Sequence, residues 1–329
     1  MLRIAVVGAG LAGLSFAQYI SPRAAVTLFE KSRGVGGRMA TRYAGSFEFD
    51  HGAQFFTARS QSFRRFLAPY VAAGDVRSWN ARFVEIDGGR ITASRRWHED
   101  YPHYVAAPRM NVLAKRLAAT LDIRLRTPVA GVEETGAGWK LAAVDGSELG
   151  IYDWVVFTAP PAQTTALAPA GSELATLAPN YKMKACFALM LGREDGGRPE
   201  WQAARVKNSP VSWISANFSK PGRKPASAFV IHSTNAWAES HLEHDPEWVR
   251  RTLLDEACEL LGADPQTLAV ADLHRWRYAN ADGQTGPACY FDAGHKLGAC
   301  GDWFIRGRVE AAYRSAADLA KRFETILTG

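Results

Sequence analysis

Three glycines and one glutamate set out the first chemical possibility in this chain. Gly8, Gly10 and Gly13 stand in the order G-x-G-x-x-G, with Leu11 and Ala12 between the last two. Glu30 follows 17 residues after Gly13. This is the pattern of a dinucleotide site. The first glycine permits a tight turn, the second lets backbone approach a pyrophosphate, and the third lets a helix pack closely on a strand. The helix that follows offers its N–H groups and positive dipole end to the phosphates. A carboxylate at position 30 can accept from both ribose hydroxyls. It would repel a 2′-phosphate, which disfavours NADP here.

A second glycine-rich turn comes at once: Lys31-Ser32-Arg33-Gly34-Val35-Gly36-Gly37-Arg38. Gly36 and Gly37 can close backbone over a pyrophosphate, and the planar fork of Arg38 can pair with a phosphate. A short NAD site has no need of this second turn. Near the other end, Gly301-Asp302-Trp303 closes an apolar run, and Gly307-Arg308-Val309-Glu310 opens a helical one. There is no H-E-x-x-H, no G-x-S-x-G and no C-x-x-C. Spacing forces no acid–base pair together.

The elements that position these residues read as a β-α-β unit. Leu2 to Val7 is a buried parallel strand, Leu14 to about Ile20 a helix, and Ala25 to Phe29 a second strand that ends at Glu30. Lys184 to Leu191 and Ala228 to His232 read as strands of a second lobe. Pro246 to Leu261 has helical periodicity between an N-terminal proline and Gly262. Ser219 to Pro225 reads as a turn.

The 329 residues suit about two domains. Hydrophobic residues at 47% and charged residues at 22% exclude a disordered chain. The net charge of +6 comes without a run of five basic residues, so nucleic-acid binding is not expected. No stretch of about 18 apolar residues suggests a membrane span. Four scattered cysteines suit neither a disulfide framework nor a metal site. A cytoplasmic location is expected.

With these residues in place, G-x-G-x-x-G followed by E-K-S-R-G-x-G-G-R resembles the flavin amine oxidase superfamily, and the Gly301-Asp302 closing segment is similar to its last motif. The resemblance implies FAD, bound without a covalent link: Cys289-Tyr290 stands only 12 residues before Gly301, closer than a flavin-linked cysteine would. It implies a Rossmann-like FAD domain of α/β class, with the p-hydroxybenzoate hydroxylase or amine oxidase topology. A mixed-sheet α+β substrate domain lies over the flavin. The expected FAD pieces are 1–50, 105–160 and 286–329, with 51–104 and 161–285 as the substrate domain. In the resemblance, Ile123 to Val132 is the strand whose backbone at Val129 holds the adenine, Trp154 to Pro161 is the strand that returns the chain from the FAD domain, Asp302 meets the ribityl–pyrophosphate region, and Val309 lies near the isoalloxazine. Gly8, Gly10, Leu11, Ala12, Gly13, Glu30, Lys31, Gly36, Gly37 and Arg38 complete the cofactor set.

Four further strings look like bacterial renalases: Ser32–Met39, Gly52–Arg59, His274–Ala279 and Cys300–Trp303 with Gly307–Glu310. That likeness implies oxidation of 2- and 6-dihydro isomers of NAD(P)H to NAD(P)⁺, with hydride passing to the flavin and dioxygen reduced to hydrogen peroxide. It places Gln54, Phe55, Phe56, Thr57, Asn217, His232 and Trp276 on the substrate side. The residues by themselves leave a plainer reading open, since Phe55 and Phe56 suit a core and His232 suits a satisfied buried histidine. An amine oxidase or desaturase of the same fold, and a flavin-binding protein without turnover, also remain open. Arg95, Arg96, Arg275 and Arg277 read first as solvated charges.

Overall fold

The structure is a computed structural model and describes residues 1–327. The chain forms two compact units and passes between them four times. Unit 1 holds Met1–Arg38, Ala114–Met183 and the residues from Asn280 onward; unit 2 holds Met39–Leu113 and Lys184–Ala279.

Unit 1 is built on a six-stranded sheet. Its order is Cys289–Asp292, Leu297–Cys300, Trp154–Phe157, β1 (Arg3–Val7), β2 (Ala25–Glu30) and Asp122–Leu125. All neighbours run parallel except the first pair. Helix α1 (Leu11–Ile20) connects β1 to β2 and packs against the C-terminal helix Val309–Leu327, with Phe16 edge-on to Phe323 at 5.0 Å. A three-stranded antiparallel sheet, Val129–Thr135, Gly138–Ala143 and Glu148–Tyr152, shares a core with Phe29, Phe157 and Trp303.

The expected single strand from Ile123 to Val132 is two strands in two sheets. Arg126 takes a left-handed φ of 53° and Pro128 has no N–H to offer a ladder, so the chain turns between them. Val129 is therefore the first residue of the antiparallel sheet, opposite Ala143.

Unit 2 is a seven-stranded mixed sheet in the order Leu268–Ala281, Met183–Arg193, Ser227–Ser233, Val211–Ala216, Ala203–Lys207, Arg82–Asp87 and Arg90–Arg96. Ala203–Lys207 and Arg82–Asp87 run parallel. The helix Pro246–Leu261 covers one face and buries Val249, Leu253 and Ala257 against Phe187, Leu189 and Ile231. It begins at Asp245, whose carboxylate accepts the Trp248 N–H, and stops at Gly262 in the left-handed region at φ 55°.

The unit boundaries differ from the expected ones for packing reasons. The hairpin Arg42–Ala44 and Phe47–Phe49 belongs to unit 2, because Phe47 and Phe49 pack with Met190, Ala228 and Val230. Tyr104–Ala106 pairs with Val76–Ser78 and stays there too. Residues 161–183 belong instead to unit 1, where Leu174, Ala178 and Tyr181 join its core. Gly307 donates to the Ala281 carbonyl and Gln284 to that of Ile305, which binds 280–285 to the C-terminal segment.

The left-handed Gly262 gives a direct test. Gly262→Ala meets no atom at its new Cβ, so its cost is the backbone strain alone, about 1 kcal/mol. Urea unfolding should show a free energy of unfolding lower by that amount, read as a lowered midpoint with an unchanged slope.

Candidate active site

In unit 1 the glycine turn is shaped by backbone contact. Gly8 has φ 110°, and a Cβ on Gly13 would lie 2.2 Å from the Gly8 carbonyl oxygen and 2.9 Å from Thr158 Oγ1. At Gly10 the same Cβ would meet nothing within 4 Å. Gly13 is thus needed by the protein's own packing, while Gly10 leaves open space at the turn. Gly10 also caps α1 without any side-chain acceptor, so Leu11, Ala12 and Gly13 begin a helix whose N-terminal charge no side chain has neutralised. The second turn lies against the first: Gly36 donates to the Ala9 carbonyl at 2.8 Å, and Gly37, at φ 53°, approaches the Gly10 Cα.

Glu30, 7% exposed, ends β2 with both oxygens engaged, Oε2 by the Ala9 N–H at 2.9 Å and Oε1 by the Ser32 N–H at 2.8 Å. A carboxylate has about four acceptor positions, so two remain for hydroxyl donors. Lys31 beside it is exposed. Arg38 grips Asp302 with both terminal nitrogens, Nη1 to Oδ2 at 2.8 Å and Nη2 to Oδ1 at 2.5 Å. Burial works against the Arg38 charge, but Asp302 outweighs it and holds the guanidinium protonated. Val309 is the first residue of the C-terminal helix.

In unit 2 four of the expected substrate residues converge on one stretch of backbone. Asn217 Nδ2 donates to the Glu48 carbonyl at 2.8 Å. Gln54 Nε2 donates to those of Asp50 at 2.5 Å and Gly52 at 2.9 Å. Trp276 Nε1 reaches the His51 carbonyl at 2.9 Å, and His232 Nε2 reaches the same oxygen at 3.2 Å. Asn217, His232 and Trp276 come from three strand regions of the sheet and Gln54 from the adjoining loop, yet all clasp residues 48–52. Asn217 Oδ1 and His51 Nδ1 are buried with no partner among the described residues.

Phe55 is half-buried in an aromatic bank, its ring 5.0 Å from both Trp97 and His103 and 5.5 Å from Trp213. Trp97 and His103 stack at 3.8 Å. Phe56 turns the other way, 3% exposed beside Phe63, while its backbone pairs with Tyr104. Thr57 is half-buried next to it. Arg275 and Arg277 pair with Glu243 outside this group, and Arg95 lies over the Phe83 ring.

Asp50, Lys220 and Arg223 were not singled out in the sequence. Arg223 places Nε at 3.1 Å and Nη2 at 2.6 Å from Asp50 Oδ2. Thr41 Oγ1 and the Met110 N–H bond Oδ1. Lys220 Nζ lies 3.6 Å from Oδ2 and 3.1 Å from Gln54 Oε1, with its side chain fully buried. Burial pulls the Lys220 amine down to about 7; Asp50 resists this and Arg223 adds to it. Burial raises the Asp50 carboxyl, but the two cations reverse that and hold it below its usual value. Burial also brings His51 to about 3 and His232 and His274 to about 4, so all three imidazoles are neutral at pH 7. Nothing in Ser-Lys-Pro-Gly-Arg signals a buried lysine; the turn reads as solvent-exposed.

Residues 90–316 match the family described as flavin containing amine oxidoreductase, and residues 6–70 match a NAD(P)-binding Rossmann-like domain. The chain belongs to the flavin-containing amine oxidoreductases. Among solved structures it is similar to a protein named as a protoporphyrinogen oxidase from Exiguobacterium sp. 255-15, at 13% identity, with a TM-score of 0.77 and 98% of this chain and 99% of that one covered. It is also similar to a triple mutant of putrescine oxidase, at 13% identity, TM-score 0.70 and the same coverage. The α/β architecture with a Rossmann-like domain is thus that of the amine oxidase fold. Its cofactor is FAD. The residues present fit that group: the open space at Gly10, the uncapped N-terminus of α1 and the two spare acceptor positions of Glu30 suit a pyrophosphate and a ribose. No helix among the described residues is long and apolar enough to cross a membrane.

Two measurements check these assignments. Gly13→Ala should lower the melting temperature of the protein, because backbone must move. Gly10→Ala should leave the melting temperature of cofactor-stripped protein unchanged and reduce retained FAD on gel filtration; equal effects of the two would contradict the distinction. Lys220 gives a pH signature. Its proton is lost near 7 in the folded chain and near 10.4 in the unfolded one. The cost of burying the ammonium is therefore full below pH 7 and relieved as pH rises through that window. Wild-type unfolding free energy should gain on that of Lys220→Met between pH 7 and about 10; parallel curves would mean the amine stays charged.

Proposed function

We propose that this protein is an FAD-dependent oxidase of 2- and 6-dihydro isomers of NAD(P)H, which yields NAD(P)⁺ and hydrogen peroxide. When bound, FAD accepts the hydride and returns two electrons to dioxygen, so that dihydronicotinamide, O₂ and one proton become nicotinamide cation and H₂O₂. The cofactor is held noncovalently by Gly8, Gly10, Leu11, Ala12, Gly13, Glu30, Lys31, Gly36, Gly37 and Arg38, with Asp302, Val309 and the backbone of Val129.

The observation that carries this reading is the character of the substrate-side set. Gln54, Asn217, His232 and Trp276 give their donors to backbone carbonyls, and the imidazoles beside them are neutral. That is a poor arrangement for acid–base work. A dihydropyridine that gives up hydride needs none of its carbons deprotonated; it needs a flat ring held in place. Phe55, His103 and Trp213, half-buried around the buried Trp97, supply aromatic faces for stacking. His232 Nδ1, without a partner among the described residues, can accept from a carboxamide N–H. A cytoplasmic location suits such a substrate.

A second reading, oxidation of an amine, is supported by the family description itself. Anaerobic mixing separates the two. The purified yellow protein is mixed with 6-dihydro-NAD, with ordinary NADH and with a simple primary amine while the flavin band is followed. Bleaching by the isomer alone, with recovery and peroxide on admitting air, is the expected result. Bleaching by the amine alone would replace this reading with the second; bleaching by none would discard both substrates.

A further inference from the structure

The aromatic bank of unit 2 carries a cation at its outer end. His232 is the register partner of Trp213, Trp213 of Arg205, and Arg205 of Glu85; Phe83, two residues before Glu85, is the partner of Arg95. Register partners, and residues two apart on one strand, share a face of the sheet. Val84, Val206, Ile214 and Ile231 alternate to the other face, in the core that the helix Pro246–Leu261 covers. One face therefore leads from the neutral imidazole of His232 through Trp213 and Phe83 to Arg95.

The Arg95 guanidinium lies 4.6 Å from the centre of the Phe83 ring, and that ring stacks on Trp97 at 5.5 Å and on Trp213 at 6.0 Å. Burial depresses the His103 imidazole, the Tyr101 carbonyl opposes this, and Arg95 adds to it, so the cation also stands near the Trp97–His103 stack. Its strand is exposed along its whole length, and the guanidinium has no carboxylate or hydrogen-bond partner among the described residues. On the same face Glu85 is held by Lys207 at 2.6 Å and approached by Arg205 at 3.9 Å, while Asp87 accepts from Asn208. Contact with Phe83 uses none of the five N–H donors of the guanidinium. A planar donor fork at the end of a row of rings suits a flat ring that carries a phosphate one ribose away.

We propose that Arg95 is a specificity-determining residue: it binds the phosphate next to the dihydronicotinamide ribose, and the enzyme thereby selects nucleotides over the bare riboside. The identity of the ring rests on the oxidase reading; the phosphate contact is tested apart from turnover. Arg96 supplies the control, since it alternates to the opposite face, where its Nη1 donates to the Asn80 carbonyl at 3.5 Å.

Holoenzyme, its FAD site filled, is titrated calorimetrically with nicotinamide mononucleotide and with nicotinamide riboside. Wild type should bind the mononucleotide more tightly. Arg95→Met keeps an unbranched stem over Phe83 and removes the charge; it should weaken mononucleotide binding about tenfold and leave riboside binding unchanged. Arg95→Lys, a point charge without the fork, should fall between. Arg96→Met lowers the net charge equally and should bind both ligands as wild type does. A wild type without preference for the mononucleotide, an unchanged mononucleotide affinity in Arg95→Met, equal losses for both ligands, or equal losses in Arg95→Met and Arg96→Met would each overturn the proposal. In flavin reduction, KM for the 6-dihydro mononucleotide and for 6-dihydro-NAD should rise by the same factor in Arg95→Met with kcat unchanged. A rise for 6-dihydro-NAD alone would move the contact to the adenine-side phosphate and overturn the assignment. A wild type that no dihydro isomer reduces ends the oxidase reading and leaves the calorimetric result standing.

Discussion

Asp50 places a negative charge where no solvent reaches it, and three separate stretches of chain converge to satisfy it. Thr41, Met110, Lys220 and Arg223 surround its two oxygens. A buried carboxylate needs this degree of closure, because removal of one partner from such a pair costs about 3–5 kcal/mol. The constraint fixes more than a charge. Asp50 begins the segment that runs to Gln54, and its backbone carbonyl accepts from the Gln54 amide. The carboxylate therefore anchors the segment from below while the clasping side chains hold it through its carbonyls. Burial makes Lys220 a titrating amine, and Arg223, a second cation on the one carboxylate, adds to the effect.

The same segment explains why three imidazoles in one neighbourhood remain neutral. His51 is buried and His232 and His274 are half-buried, and positive groups stand close to each: Arg42 to His51 and His274, Lys220 to His232. Charging any of them would add to a cationic surplus in a poorly solvated place. Trp276 stacks on His51 at 5.1 Å and bonds its carbonyl, so this aromatic residue serves as both wall and donor. The orphaned Asn217 Oδ1 and His51 Nδ1 are the places where this closure is incomplete, and unsatisfied buried polar atoms of this kind carry a real cost.

In the cofactor unit the governing constraint is distance between backbones rather than charge. The Gly8 carbonyl and the Gly13 Cα come too close for any side chain at position 13, and this approach aims the start of α1 at the turn. Arg38 and Asp302 lie 264 residues apart and meet through a two-point ion pair that joins the second glycine turn to the C-terminal segment. Each stretch alone is a loop with an unusual composition. Together they form one rim of the site.

The β-α-β unit, the helix Pro246–Leu261 and the cofactor class were legible in the sequence because each rests on local rules: strand and helix periodicity, a proline at one end, a glycine at the other, glycines where backbone must approach. The glycine and acid spacing that names a dinucleotide is local in the same sense. The break at Arg126 was hidden because an arginine in the left-handed region has no compositional signal. The destination of the hairpin 42–49 was hidden because Phe47 and Phe49 suit either core, and only the neighbours Met190 and Val230 decide between them. On the substrate side the residue types were readable but their partners were not. Asn217, His232 and Trp276 joined Gln54 as a set only when the sheet carried them to the carbonyls of 48–52. Burial turned Lys220 from a turn residue into a titrating group, and burial belongs to the whole fold: it depends on contacts between residues far apart in the chain, which no short stretch of sequence encodes.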